Sequence, residues 1–299
     1  MTKIPFNKTA LAYDTQVQLL KDRGLIIDDD AKALFLLENI SYFRLSGYWY
    51  PLLSDKTNHI FKKKASLDTA FKLYCFDKEL RKLLLSELEK IEIAIRAKMI
   101  YVLSHEHGPF WFQNLDLFRN PTTHEYSMGK IGEEFRRSDE EFIIAFRRKY
   151  IDDFPPSWMI LEITSFGTLS ILYSNLKPGR NKREIANHFG LHDSVFSSWL
   201  HSIVYLRNVC AHHSRLWNRV MSIAPQFPLK PSKPWLSMEK VINNKTYFIL
   251  CMIKYFLQTV NPHNSFTNKL EDLLLKYPNV DIIAMGFPPE WKNEPLWQK

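Results

Sequence analysis

The sequence predicts a mainly α protein, and three observations carry that expectation. Apolar residues recur at three- and four-residue spacing over long windows. Glycine is scarce, 9 residues in 299, against an average of about 7% in soluble proteins. Hydrophobic residues make up 45% of the chain and aromatic residues 14%, enough to bury a large core in one domain or two intimate ones. The expected division is an N-terminal helical and aromatic region over residues 1–64, a helical bundle over 65–260 and a C-terminal extension over 261–299.

Two short helices open the chain, roughly Ala10 to Lys21 and Asp29 to Ile40, the second started by the acidic cap Asp28-Asp29-Asp30. The aromatic run Tyr42-Phe43-Arg44-Leu45-Ser46-Gly47-Tyr48-Trp49-Tyr50 reads as core or seam packing, with base stacking the rival reading. Asp55 to Lys64 is a polar break, a loop or small hairpin. Ser66 then caps a central helix running without Pro or Gly to about Ser104, its stripe set by Leu73, Phe76, Leu80, Leu84, Leu88, Ile91, Ile95, Met99 and Val102. Opposite that stripe Glu89, Glu92 and Arg96 share a face. Glu92 with Arg96 is a helix-surface ion pair on this reading, or a support for a nearby site.

Gly108-Pro109 and Asn120-Pro121 bound an irregular stretch, and Arg119 to His124 reads as a loop. Ser138-Asp139-Glu140-Glu141 reads as a capping box for a helix toward Tyr150, which Asp152 to Pro156 breaks. Trp158 to Tyr173 is again helical, with Gly167 expected to admit a neighbouring helix closely. Arg183 to Gly190, followed by a helix from Asp193 to Ala211, has the spacing of a helix-turn-helix. A DNA reader would place donors early in its second helix, yet Val195, Phe196, Ser197, Ser198 and Trp199 stand there.

Cys75, Cys210 and Cys251 are widely spaced in apolar contexts, so neither a disulfide framework nor a zinc site is implied and a reducing compartment is expected. His105-Glu106-His107 does not share a helical face, so no metal is expected there, nor any other cofactor. Met1 to Lys8 lacks the apolar block of a leader, and Tyr247 to Val260 is too short to span a bilayer and carries Lys254. The expectation is a cytoplasmic protein with no membrane partner.

A net charge of +8 favours an acidic partner. Between Lys177 and Arg219 stand Lys177, Arg180, Lys182, Arg183, Arg207, Arg215 and Arg219 against only Glu184 and Asp193, and five of the ten histidines fall there. Nucleic acid is the better reading of that cluster, a solvated basic surface the plainer one. Within it, Arg207-Asn208-Val209-Cys210-Ala211-His212 sets a permanent cation, an amide and an imidazole near a helix end. Such an imidazole can take the proton of a ribose 2′-hydroxyl while the guanidinium holds the phosphate. The spacing alone does not single the pair out, because Arg119 with His124 and Arg183 with His188 repeat it. On an ideal helix Arg207 falls inside the stripe of Phe196, Trp199, Leu200, Ile203, Leu206 and Cys210, as a buried structural ion or one lining a cavity. Arg207 and His212 then stand about 140° apart around the axis, so they converge only if the helix loosens before His212 or a second protomer completes the site. A homodimer with these helices at or near the interface is therefore expected.

The chain resembles the Abi-like family of bacterial abortive-infection proteins, the type grouped with the AbiD and AbiF systems. The resemblance is carried by Tyr42 to Tyr48, Glu89 to Arg96, Pro156 to Met159 through Ser165-Phe166-Gly167, and Arg207-Asn208 through His212, His213 and Arg215-Leu216-Trp217-Asn218. That family is similar to the HEPN superfamily of helical bundles, many of them metal-independent endoribonucleases with an Arg-x(4–6)-His motif. The resemblance implies a HEPN-like bundle with an N-terminal helical extension, in which Arg207, Asn208 and His212 are catalytic. His213 also fits the motif, so which imidazole acts stays open, and His213, Arg215, Lys182 and Arg183 are the expected RNA contacts. It also implies a toxin-like defence role, with RNA as partner and an antitoxin or regulatory RNA as a further candidate. Two rivals stand beside it: a non-catalytic RNA- or antitoxin-binding protein of the same fold, and a helix-turn-helix DNA-binding regulator.

Overall fold

The computed structural model describes residues 5–237 and 241–298. Met1 to Ile4, part of the stretch on which the lack of a leader was read, lie outside them. Helix makes up 62% of the structure and the only paired strands among the described residues form one small hairpin, so the mainly α class holds. Contacts divide the chain into two compact units, Met1–Leu80 with Leu273–Val280, and Arg81–Asp272 with Asp281–Lys299.

In the first unit, α1 (Tyr13–Asp22), α2 (Asp30–Ile40) and α3 (Tyr42–Trp49) precede the hairpin of β1 (Leu53–Asp55) and β2 (Ile60–Phe61). The polar break is thus the hairpin alternative. Asp29 caps α2 by accepting from Lys32 N at 2.9 Å, and Ser41, at φ 81°, ends α2 and caps α3. The aromatic run is helical: Leu45, Tyr48 and Trp49 face the core, and buried Tyr48 donates to Asp77 at 2.6 Å. Ser66 accepts from Thr69 N at the start of α4 (Leu67–His107), the long helix read from the apolar stripe, every member of which is buried.

The second unit holds the rest of α4 with α5 (Pro121–Arg137), α6 (Glu141–Lys149), α7 (Ser157–Ile163), α8 (Phe166–Asn175), α9 (Arg180–His188), α10 (Asp193–Ala211) and α11 (Thr246–Val260); α12 (Phe266–Lys276) ends in the first unit. Helix α11 is buried nearly all round, which is why its sequence carries no polar face. Helix α10 packs on α8 and α9, and α5 on α7 and α8.

Three local expectations need correcting. Arg119 to His124 is no loop. Asn120 caps α5 by accepting from Thr123 N at 3.0 Å, and Pro121 takes the first helical position, where its missing N–H costs nothing. Ser138 does not open a capping box, since it ends α5, and α6 starts at Glu141 without a side-chain cap. The helix expected over Trp158 to Tyr173 is two helices. Thr164 and Ser165 are extended between α7 and α8, and Ser165 caps α8 through Thr168 N. Gly167 does face α10, but a Cβ there would meet Val204 at an ordinary 4.0 Å, so the packing does not demand glycine. The turn between α9 and α10 does: Gly190 has φ +75°, and a Cβ would collide with Ser232 and with the hydroxyl of Tyr255.

Candidate RNA-cleavage site

The end of α10 is built by its backbone. His212 N–H still donates to Asn208 O at 2.9 Å, so the helix keeps its winding up to His212. His213 then turns left-handed at φ 55°, its N–H reaching Cys210 O, while Ser214 N–H returns to Val209 O at 2.9 Å. These paired bonds are the Schellman pattern, with histidine where glycine is the usual occupant. Buried Arg81 donates to Ser214 O at 3.4 Å and so anchors the turn from α4. The helix does not loosen before His212, and Arg207 and His212 keep their separation of about 140° around the axis.

Arg207 is not inside the core. Leu206, Val209 and Cys210 carry the apolar stripe through the last turns, which leaves Arg207 at its margin with 45% of its side chain exposed. Its Nε lies 4.0 Å from Glu92 Oε2 on α4. The other oxygen of Glu92 accepts from Arg96 Nη2 at 2.8 Å, and buried Arg96 donates through Nη1 to Thr164 O at 2.9 Å. That carbonyl is free because α7 stops at the extended Thr164. The break that sequence reading missed therefore holds Arg96, Arg96 holds Glu92, and Glu92 stands beside Arg207. The Glu92–Arg96 ion pair read from the sequence is present at 2.8 Å, with Arg96 buried and not on the helix surface.

Asn208 and His212 are exposed, and neither side chain has a hydrogen bond among the described residues. Tyr205 lies on the same edge of α10, three residues before Asn208 and seven before His212. Arg219 Nε donates to its hydroxyl at 3.1 Å and Ser222 Oγ lies 3.3 Å away. Burial alone would raise the Tyr205 phenol, but its bonds with Ser222 and Arg219 and the charge of Arg219 bring it below the ordinary tyrosine value.

The other basic residues are placed differently. Arg183 is exposed on α9, and Arg215 follows the turn with its carbonyl accepting from Arg219. Lys182 is only 7% exposed, and its ammonium donates to Ser174 O at 2.8 Å and Leu176 O at 3.0 Å, closing the end of α8. Burial lowers its pKa, against the charge of Asp193. Its charge is spent on backbone and not presented to solvent. Val195, Phe196 and Trp199, where a DNA reader needs exposed donors, are buried. Among the described residues no group of three or more His, Cys, Asp or Glu is placed to hold a metal ion, and no helix is long and apolar enough to cross a membrane.

The fold and site define a helical protein whose Arg and His side chains sit exposed at a helix end, backed by a carboxylate from a long neighbouring helix. A family model of Abi-like proteins matches residues 35–218, and the chain belongs to that family, which ties it to abortive infection, a defence against bacteriophage. The matched stretch takes in Glu92, Arg96, Arg207, Asn208, His212 and His213. No curated protein and no solved structure matches the chain.

Proposed function

We propose that this chain is a homodimeric, metal-independent endoribonuclease of HEPN type that acts in phage defence by abortive infection. The observation that carries the reading is the exposed Arg207 guanidinium beside Glu92, five residues before an exposed and unengaged His212. His212, or His213 beside it, takes the 2′-hydroxyl proton. The 2′-oxygen then attacks phosphorus, the bond to the 5′-oxygen breaks, and that oxygen gains a proton from an acid or from water. Arg207 carries the charge that grows on the non-bridging oxygens. The products are a 2′,3′-cyclic phosphate and a 5′-hydroxyl.

Because Arg207 and His212 do not share a face within one chain, a second copy is part of the proposal. The exposed side of α4 supports it. Glu89, Ile93, Ala97, Tyr101 and His105 follow one another at four-residue spacing and all five are exposed, Ile93 at 58% and Tyr101 at 60%. The row is symmetric about Ala97. A twofold axis there sets Ile93 against the partner's Tyr101 and Glu89 against the partner's His105, and a four-spaced ridge packed on its own copy crosses at about −50°. Glu92 stands five residues from Ala97, about 7.5 Å along the helix, so both Arg207 sites would lie near the axis.

RNA incubated with the protein in EDTA tests the chemistry. Cleavage with cyclic-phosphate ends is expected, and an Arg207→Ala, His212→Ala double variant that cuts as well as the parent would end the reading. A second reading, an RNA- or antitoxin-binding protein that does not cut, is favoured by the same separation of Arg207 from His212. It predicts salt-sensitive RNA affinity without cleavage under any condition.

A further inference from the structure

Beyond the family-matched stretch, the second unit contains a cavity of about 850 Å³ between α11, the start of α12 and the C-terminal segment. Its chemistry is one-sided. Among the described residues its lining has no Asp or Glu, while Lys254, His263, Asn268 and five other polar residues face it. Lys254 is half-buried on α11 and has no acceptor among the described residues. Its partial burial lowers the ammonium below the usual lysine value. Asn268 is likewise unengaged, and Gln258 uses only its amide nitrogen, on Pro234 O.

The volume falls in the range of small-molecule sites, roughly 300–1,000 Å³, and is far larger than a lone phosphate fills. The rest of the lining is apolar: Pro234, Pro262, Pro295, Leu296 and Trp297. A ligand that fits must bring negative charge to Lys254, hydrogen-bonding edges to the carboxamides and a planar body to the apolar wall. Carboxamides pair with base edges in this way, as Asn and Gln do with adenine.

We propose that this cavity binds a mononucleotide, its phosphate on Lys254, its base edge on Asn268 and Gln258 and its base face on the apolar wall. The site lies outside the Arg207 motif and stands whether or not the chain cuts RNA.

Calorimetric titration of the full chain with AMP, ATP and inorganic phosphate tests the assignment. AMP or ATP is expected to bind, with phosphate competing. Lys254→Met should weaken binding by about tenfold or more, the loss of one charge-assisted contact. Lys254→Arg should retain most of it, and Arg207→Ala should leave it unchanged. A thermal melt confirms that each variant is folded, and Asn268→Ala supplies a second, milder perturbation. Binding of inorganic phosphate alone, no binding of either nucleotide, or undiminished binding by a folded Lys254→Met overturns the proposal.

Discussion

The Nε of Arg207 lies 4.0 Å from Oε2 of Glu92, and this one relationship joins the motif helix to the long helix α4. With Arg207 45% exposed, the contact contributes little stability, about 0–1 kcal/mol. What it fixes is direction: a long flexible guanidinium gains one preferred place. Glu92→Gln should therefore leave the melting temperature within about 2 °C. If the chain cuts RNA as proposed, Glu92→Gln should lower kcat by about tenfold, while RNA affinity holds or rises as a negative charge leaves the site. Single-turnover cleavage beside filter binding separates the two effects. A variant with equal loss in binding and turnover would deny Glu92 its positioning role.

Arg96 should behave in the opposite way. It is buried, and it satisfies both the Glu92 carboxylate and the carbonyl left open by the α7 to α8 break. Arg96→Met removes the cation and leaves both acceptors short, which should cost about 2–4 kcal/mol. Urea denaturation measures that loss directly. Arg96→Lys can reach one acceptor but not both and should fall between.

A third consequence concerns pH. Burial depresses the pKa of His188, with the charges of Lys98 and Lys233 acting the same way. The unfolded chain therefore takes up a proton at this position before the folded one does as the pH falls. The stability contribution is full above the ordinary histidine value of about 6.5 and is lost as the pH drops from there through the lower folded value. His188→Gln should flatten the slope of melting temperature against pH on the acid side, and an unchanged slope would assign the acid sensitivity elsewhere.

How much of this was legible in the sequence depends on which force decided each element. Helix α4 was readable because its nine apolar positions keep one rhythm and all of them are buried. The helix α5 was not, because its side chains are mostly polar and the cap Asn120-Pro121 reads equally as a turn. The split at Thr164 was hidden for the opposite reason. Both halves are apolar, and only tertiary bonds, Arg96 to the freed carbonyl and Ser165 to Thr168, reveal the boundary. Arg207 was misplaced because an ideal helical wheel gives angle but not depth. Near the end of α10 the covered arc narrows to Leu206, Val209 and Cys210. Glu92 was visible as a charged neighbour of Arg96, but its link to a residue 115 positions away was not, since nothing local encodes it.

The exposed row on α4 gives a prediction about assembly. If a second copy covers it, Ala97 sits at the point of closest helix approach, where a larger side chain holds the helices apart. Ala97→Glu should convert the dimer to monomer in light scattering and abolish cleavage, with the fold intact by circular dichroism. Glu89→Lys should weaken the dimer by removing the carboxylate that meets the partner's His105, and His105→Glu added to it should restore pairing as a reversed ion pair. Monomers that cut RNA at the parental rate would detach activity from this face.

The two imidazoles at the end of α10 can be told apart by their backbones. His213 is left-handed at φ 55°, a conformation that costs an L-residue with a Cβ about 1 kcal/mol and costs glycine nothing. His213→Gly keeps the Schellman turn and removes the left-handed strain of about 1 kcal/mol, with the fold checked by a thermal melt. His213→Ala should instead lower stability, since alanine lacks the polar group that eases histidine and asparagine into this region. His212 has an ordinary φ of −85°, so His212→Asn should be neutral for the fold. Cleavage by these variants then reads the chemistry alone. If His212 is the base, His212→Asn loses at least about a hundredfold in rate while His213→Gly cuts within a few-fold of the parent. The reverse pattern moves the base by one residue, to the side chain that the left-handed turn swings away from the helical path. If both variants cut at the parental rate, neither imidazole is the base.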